Sequence, residues 1–141
     1  MIVCGQDRVW EAGDTAALGA KARRSRRVHR RRKAFRQWLA ARRSTRRQVA
    51  LELIFGELVT NAVRYGDDPM SVVVAVDDGC LLICVDNAGD CFDLVSRLMA
   101  EPTTTGGRGL QIVRALADTM TVERVERLPE PACRVTVTAP L

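Results

Sequence analysis

Long apolar runs are missing from this sequence. The longest charge-free apolar stretch spans residues 79–85, far short of the ~20 residues a helix needs to cross a bilayer, so no membrane-spanning helix is expected. The opening MIVCGQDRVWEAGD lacks the apolar run and small-residue cleavage site of a secretory signal, which makes the cytoplasm the default expectation. The five cysteines are odd in number and include no CxxC pair, which argues against a disulfide framework and against a spaced zinc site. Cys80 and Cys84 lie four apart in an apolar strand-like run, so they share a face and are expected to be two small buried hydrophobes. There is no GK[ST] after a glycine-rich loop, which excludes a Walker phosphate loop. No internal repeat and no Ser/Gly-rich linker divides the chain, so residues 1–141 read as one domain.

What is present is a globular balance of 47% hydrophobic and 28% charged residues in 141, enough to fold around one core. The formal net charge of +5 hides an asymmetry: residues 21–47 carry 14 Lys and Arg and no acid, leaving eight basic against 17 acidic side chains elsewhere. A basic segment is attached to an acidic body. Twenty of the 22 basic residues are arginine, whose forked guanidinium suits phosphates or an acidic partner. The bland alternative is a solvated helix face.

Within the basic segment, Leu18, Ala22, Ser25, Val28, Arg32, Phe35 and Leu39 recur at spacings of three and four, predicting an amphipathic helix over about 15–42 with Trp38 beside its end and Arg32 as the misfit. Asp14 or Thr15 is placed to cap it. Ser44-Thr45 then introduces a second helix over about 46–65, with Leu51, Phe55, Leu58, Ala62 and Tyr65 on its core face. Gly66-Asp67-Asp68-Pro69 ends it. Strands are expected at 71–76 and 81–85, joined by the hairpin turn Asp77-Asp78-Gly79. A third helix over 110–117 and strands at 121–125 and 134–138 complete the chain. This order predicts an α+β two-layer sandwich, a mixed, mostly antiparallel sheet covered on one face by helices. Short turns between adjacent strands disfavour the parallel crossovers of a dinucleotide fold.

Three places carry chemistry. Glu57 and Asn61 are one helical turn apart at the edge of the core stripe, where a carboxylate and an amide oxygen suit a hard cation such as Mg²⁺. Asp86-Asn87-Ala88-Gly89-Asp90 follows a strand; an acid there accepts a hydrogen bond from an exocyclic amine while small residues let a planar ring approach, which suits adenine. Gly106-Gly107-Arg108-Gly109-Leu110 opens the third helix, and unpaired N–H groups at a helix start attract phosphate. Each alone also reads as ordinary structure: a locally bonded pair, a turn, a glycine-rich helix entry.

Together, ELVTNAVRYG at 57–66, the Asp86 turn and GGRGLQIV at 106–113 resemble, in order and approximate spacing, the N, G1 and G2 boxes of the GHKL (Bergerat-fold) ATP-binding domains. The resemblance covers roughly 45–140 and is closest in the first box. Within that superfamily the chain looks most like the small bacterial anti-sigma-factor serine/threonine kinases. Sensor histidine kinases share the boxes but add a dimerising helix pair bearing the phosphorylated histidine, whereas the sole histidine here, His29, sits among arginines.

The resemblance implies that Asn61 ligates Mg²⁺ and that Glu57 is catalytic, as general base or as the group that orients the attacking hydroxyl. It implies that Asp86 recognises the adenine amine beside Ala88 and Gly89. Gly107, Arg108, Gly109 and Leu110 would meet the phosphates, Thr136 would line the adenine pocket, and 91–105 would form a short lid. The G1 pattern is an Asp followed two residues later by Gly; two residues after Asp86 stands Ala88, with Gly89 one position late. The implied function is an ATP–Mg²⁺-dependent kinase acting on a protein partner, a sigma factor or an anti-sigma antagonist-like substrate; homodimers occur among such relatives. The alternative is a non-catalytic nucleotide-dependent switch that sequesters or activates a protein. An acidic partner for the basic helix is a further expectation, and a nucleic-acid role, resting on charge alone, ranks last.

Overall fold

The computed structural model describes residues 20–42, 47–99, 108–126 and 131–141. In chain order these form α1 (Ala20–Ala41), α2 (Gln48–Tyr65), β1 (Asp67–Asp77), β2 (Cys80–Ala88), α3 (Leu94–Met99), α4 (Gly109–Leu116), β3 (Thr119–Val125) and β4 (Ala132–Pro140). The expected start of the first helix at 15–19 and the expected Ser44-Thr45 cap lie outside the described residues.

The strands form one sheet in the order β1-β2-β4-β3, and all three pairings are antiparallel. Among the described residues the sheet is therefore wholly antiparallel rather than mixed. The β1–β2 turn is a two-residue hairpin with positive φ at Asp78 (45°) and Gly79 (76°), the handedness that matches strand twist. β4 returns from the edge strand β3 to lie beside β2, and this pairing sets Asp86 opposite Arg134 and Asn87 opposite Cys133.

The core is one cluster between the sheet and α2. Leu51, Ile54, Phe55, Leu58, Val59 and Ala62 of α2 are buried against Val72 and Val74 of β1 and Leu81, Ile83 and Val85 of β2. Alternation along β2 sends every second side chain into this core. α1 covers the other side of α2, where Phe35 stacks on Phe55 at 4.1 Å between ring centroids. The buried stripe of α1 is Arg31, Phe35 and Leu39, flanked by Val28 and Trp38. Arg32, expected in that stripe, is exposed; its guanidinium lies over Gly56, where a Cβ would collide with it. Val28, Phe35 and Leu39 keep the expected face; only within the arginine run is the buried position Arg31 rather than Arg32. Arg36 adds a salt bridge to Glu52 at 3.0 Å. Partial burial raises the Glu52 pKa, but hydrogen bonds from Gln48 and Arg36 outweigh it and hold the carboxyl below its ordinary value.

Three expectations about the rest of the fold are corrected. Tyr65, placed on the core face by spacing, is 55% exposed at the end of α2, because Gly66 turns into extended backbone there and the core ends at Ala62. Cys80 is exposed beside the hairpin and Cys84 is half-buried on the sheet face away from the helices, its Sγ 3.7 Å from Thr136 Oγ1. Cys91 and Cys133 form a disulfide, which no sequence spacing announced; the pairing of β2 with β4 brings them together.

Because Phe35 is 2% exposed and fills the seam between α1 and α2, replacing it with alanine is expected to cost about 3–5 kcal/mol of stability. Denaturant unfolding of Phe35→Ala measures this, and a loss under about 1 kcal/mol would show that α1 is not part of the cooperative core.

Candidate functional site

A cleft opens where α2 ends, bounded by the end of β2, the start of α3 and the start of α4. Asn61, Tyr65, Asn87, Phe92, Arg97 and Gly109 are among its lining residues. Its volume of about 120 Å³ is roughly ten times the space one water needs, so it is sized for a ring system rather than for solvent. Most of its floor is apolar, with Leu58, Val85 and Val135 beneath the polar groups, the composition typical of a small-molecule site.

Of the residues expected from the sequence, Asn61, Ala88, Gly89, Gly109 and Leu110 line this cleft. Glu57 stands one turn before Asn61 on α2 and reaches the first residue of α4: a Cβ at Gly109 would run into Glu57 Oε2. Glycine at 109 thus permits the carboxylate and the helix start to approach each other. Arg108 is the exposed residue just before α4. Gly107 lies outside the described residues, as do positions 100–105 of the expected lid. The described part of that lid holds α3, which sequence reading left as loop. Asp93 caps it, accepting from the Val95 and Ser96 backbone N–H groups at 3.3 and 3.4 Å; the Ser96 hydroxyl bond, with these, keeps the Asp93 carboxyl below its ordinary value.

Asp86 and Thr136 are placed elsewhere. Leu81, Ile83 and Val85 face the helices, so the next residue in that alternation is Asn87, and Asp86 faces the open side of the sheet. There Asp86, 5% exposed, accepts two hydrogen bonds from Arg134, from Nε at 2.7 Å and from Nη2 at 2.8 Å, a bidentate pair. The Asp86 hydrogen bond raises the Arg134 guanidinium above its ordinary pKa. Thr136 lies on the same open face beside Cys84. In this structure neither Asp86 nor Thr136 is among the residues that line the cleft; strand alternation turns both away from it.

Asn87, the next residue in that alternation, lines the cleft. Its Nδ2 donates to the Ala62 carbonyl of α2 at 3.1 Å, which leaves Oδ1 as the acceptor that the side chain presents. Two residues later comes Gly89, whose φ of 104° turns the chain out of β2 in a conformation that side chains disfavour. Asn87 and Gly89 thus stand two residues apart at the cleft, the spacing that the G1 pattern gives to its Asp and Gly. Period-two counting from the apolar run at 81, 83 and 85 was the signal that finds it.

Two further contacts, one at the cleft mouth and one beside it, carry no signal in the sequence. Tyr65 and Phe92 flank Arg97, whose guanidinium lies 5.7 Å from each ring centroid, within reach of a cation–π contact. Gln111 Nε2 donates to Leu98 O at 3.3 Å and ties α3 to α4. Among the described residues no cluster of three or more His, Cys, Asp or Glu is arranged to hold a metal ion by protein ligands alone.

The sequence matches the histidine kinase-like ATPase domain family over residues 21–136. Among solved structures, the histidine kinase domain of the Erythrobacter litoralis EL346 blue-light activated histidine kinase is similar at 19% identity, covering 67% of this chain and 44% of that one, with a TM-score of 0.45. The Acinetobacter baumannii histidine kinase AdeS is similar at 18% identity, covering 66% of this chain and 46% of that one, with a TM-score of 0.47. This chain thus spans less than half the length of either matched structure. No curated protein sequence matches it. With an antiparallel sheet covered by helices, a cleft bounded by α2 and α4, and a family match over most of its length, the chain belongs to the histidine kinase-like ATPase domain family.

Proposed function

We propose that this protein is an ATP-dependent serine/threonine kinase of the anti-sigma-factor type, transferring the γ-phosphoryl group of ATP to a hydroxyl of a protein partner. The observation that carries the reading is the meeting of Glu57, Asn61 and the start of α4 at one edge of a ring-sized cleft. Adenine enters over Val85 and Val135 with its exocyclic amine donating to Asn87 Oδ1, and the triphosphate extends toward the N–H groups at the start of α4. Asn61 would offer an oxygen to Mg²⁺, a fit to a cation that commonly takes only one or two protein ligands. When bound, that ion neutralises charge on the phosphates.

In the transfer step the partner's hydroxyl oxygen bonds to the γ-phosphorus as the bond to the bridging oxygen breaks. Glu57 takes up the hydroxyl proton, and ADP leaves. Little else is required of the protein, because phosphoryl transfer depends chiefly on positioning and electrostatic stabilisation. The exposed Arg26 and Lys33 of α1 present the cationic surface to an acidic region of the partner.

Asn61→Ala is expected to abolish Mg²⁺-dependent ATP binding in calorimetry. Glu57→Ala is expected to retain binding while losing transfer by 10²-fold or more, the usual scale of a general base. Transfer is read with γ-labelled ATP and candidate partners. Label reaching a partner serine or threonine supports the kinase; undiminished transfer by Glu57→Ala contradicts the role given to that carboxylate. Tight nucleotide-dependent partner binding with no label transferred would establish the switch-protein reading instead.

A second set of variants tests the partner surface. Reversing charge in Arg26→Glu/Lys33→Glu is expected to weaken partner binding at least tenfold at low salt and to flatten its salt dependence. Unchanged binding at every salt concentration would remove α1 from the interface.

A further inference from the structure

The disulfide between Cys91 and Cys133 crosses one wall of the cleft. β2 ends at Ala88, and the chain then turns at Gly89 and runs through Asp90 and Phe92 into α3, which carries Arg97; all of these line the cleft. Cys91 sits in the middle of that run. Its partner Cys133 is on β4, in register with Asn87, and itself lines the cleft. The Cα atoms are 4.8 Å apart. One covalent bond therefore holds the wall to the sheet next to the side chain that reads the base. Besides that bond, the wall is held by the backbone at Ala88, by Leu94 packed against the core, by Arg97 against the Tyr65 ring and, at its far end, by the Gln111 to Leu98 hydrogen bond; the disulfide is the covalent tie among them.

We propose that Cys91–Cys133 is a redox switch on nucleotide affinity: the bridged protein binds ATP more tightly, and a dithiol reductant weakens binding by releasing the wall. This rests on the nucleotide reading above. The physical reason is pre-organisation. With the bridge closed, the segment bearing Phe92 and Arg97 is already ordered against β4, whereas with the bridge open the nucleotide must bear the cost of ordering it.

The two sulfurs differ in access, and this gives the reaction a direction. Cys133 is 6% exposed, while Cys91 is half-buried. A thiolate of the reductant attacks Cys91 Sγ, the sulfur–sulfur bond breaks, and Cys133 leaves as a thiolate that takes up a proton. The reductant's second thiol, losing its proton, then attacks the mixed disulfide and releases Cys91. Two electrons and two protons pass to the protein, and the reductant ends as its own disulfide. Cys80 and Cys84 lie away from the cleft on the other side of the sheet or at the hairpin and take no part.

Calorimetric titration with ATP and Mg²⁺, on full-length protein with the bridge verified by mass mapping and again after reduction with dithiothreitol, reads the effect. The expected loss of affinity on reduction is about tenfold, within the usual range of coupling between sites. Cys91→Ser, which removes the bridge without altering a cleft-lining side chain, is expected to bind at the reduced protein's affinity whether or not reductant is present. Linkage requires the reciprocal effect: saturating ATP makes the bridge about tenfold harder to reduce, lowering its potential by about 30 mV. Equal affinity in the two redox states, with ATP binding intact, would overturn the switch and leave the nucleotide site standing. Failure of the bridge to form under oxidising conditions would overturn it too. Absence of ATP binding in both states would instead overturn the nucleotide reading, and the switch with it.

Discussion

The carbonyl of Ala62 is the point on which the cleft depends. It accepts the N–H of Gly66, closing the last turn of α2, and it accepts Nδ2 of Asn87 from the end of β2, each at 3.1 Å. One acceptor thereby fixes where the helix stops, where the strand lies against it, and which atom of the Asn87 amide is left for a ligand. Gly66 makes room for this arrangement, since a Cβ there would meet the Asn87 amide. Asn61 precedes Ala62 directly and Glu57 stands one turn back, so the same contact sets the distance between Asn87 and the Glu57–Gly109 end of the cleft.

The two faces of the sheet have separate duties. The helix-facing side, through Leu81, Ile83 and Val85, builds the core and then, through Asn87, the site. The open side carries the Asp86–Arg134 pair, whose geometry is bidentate and whose carboxylate is nearly fully buried. Removing one partner of such a pair strands a charge and costs more than the pair contributes. The Asp86–Arg134 pair thus joins β2 to β4 on one face, as the disulfide ties the chain just beyond β2 to β4 on the other.

Much of this was legible in the sequence. The 3.6-residue period of α2 and the Asp-Gly hairpin are strong local signals, and the fold class followed from the order of elements. Glu57, Asn61 and Gly109 lie together as expected because helix spacing and a glycine at a helix start express the same constraint in sequence and in space. The failures share a cause: each required knowing which neighbour a residue meets. Asp86 attracted attention as an acid at a strand's end, yet its face is decided by alternation from Leu81. Arg32 and Arg31 are adjacent in a run of arginines, and only packing against Gly56 tells them apart. Cys91 and Cys133 are 42 residues apart and become neighbours only through the β2–β4 register.

The central claim is that the cleft reads its base through Asn87 and not through the adjacent acid. Calorimetric titration of Asn87→Ala and Asp86→Asn with ATP and Mg²⁺, each checked for a native unfolding transition, tests it most directly. Loss of one hydrogen bond in the cleft predicts about tenfold weaker binding for Asn87→Ala, with the affinity of Asp86→Asn unchanged and only its stability reduced. Weakened binding in Asp86→Asn together with wild-type affinity in Asn87→Ala would contradict the account.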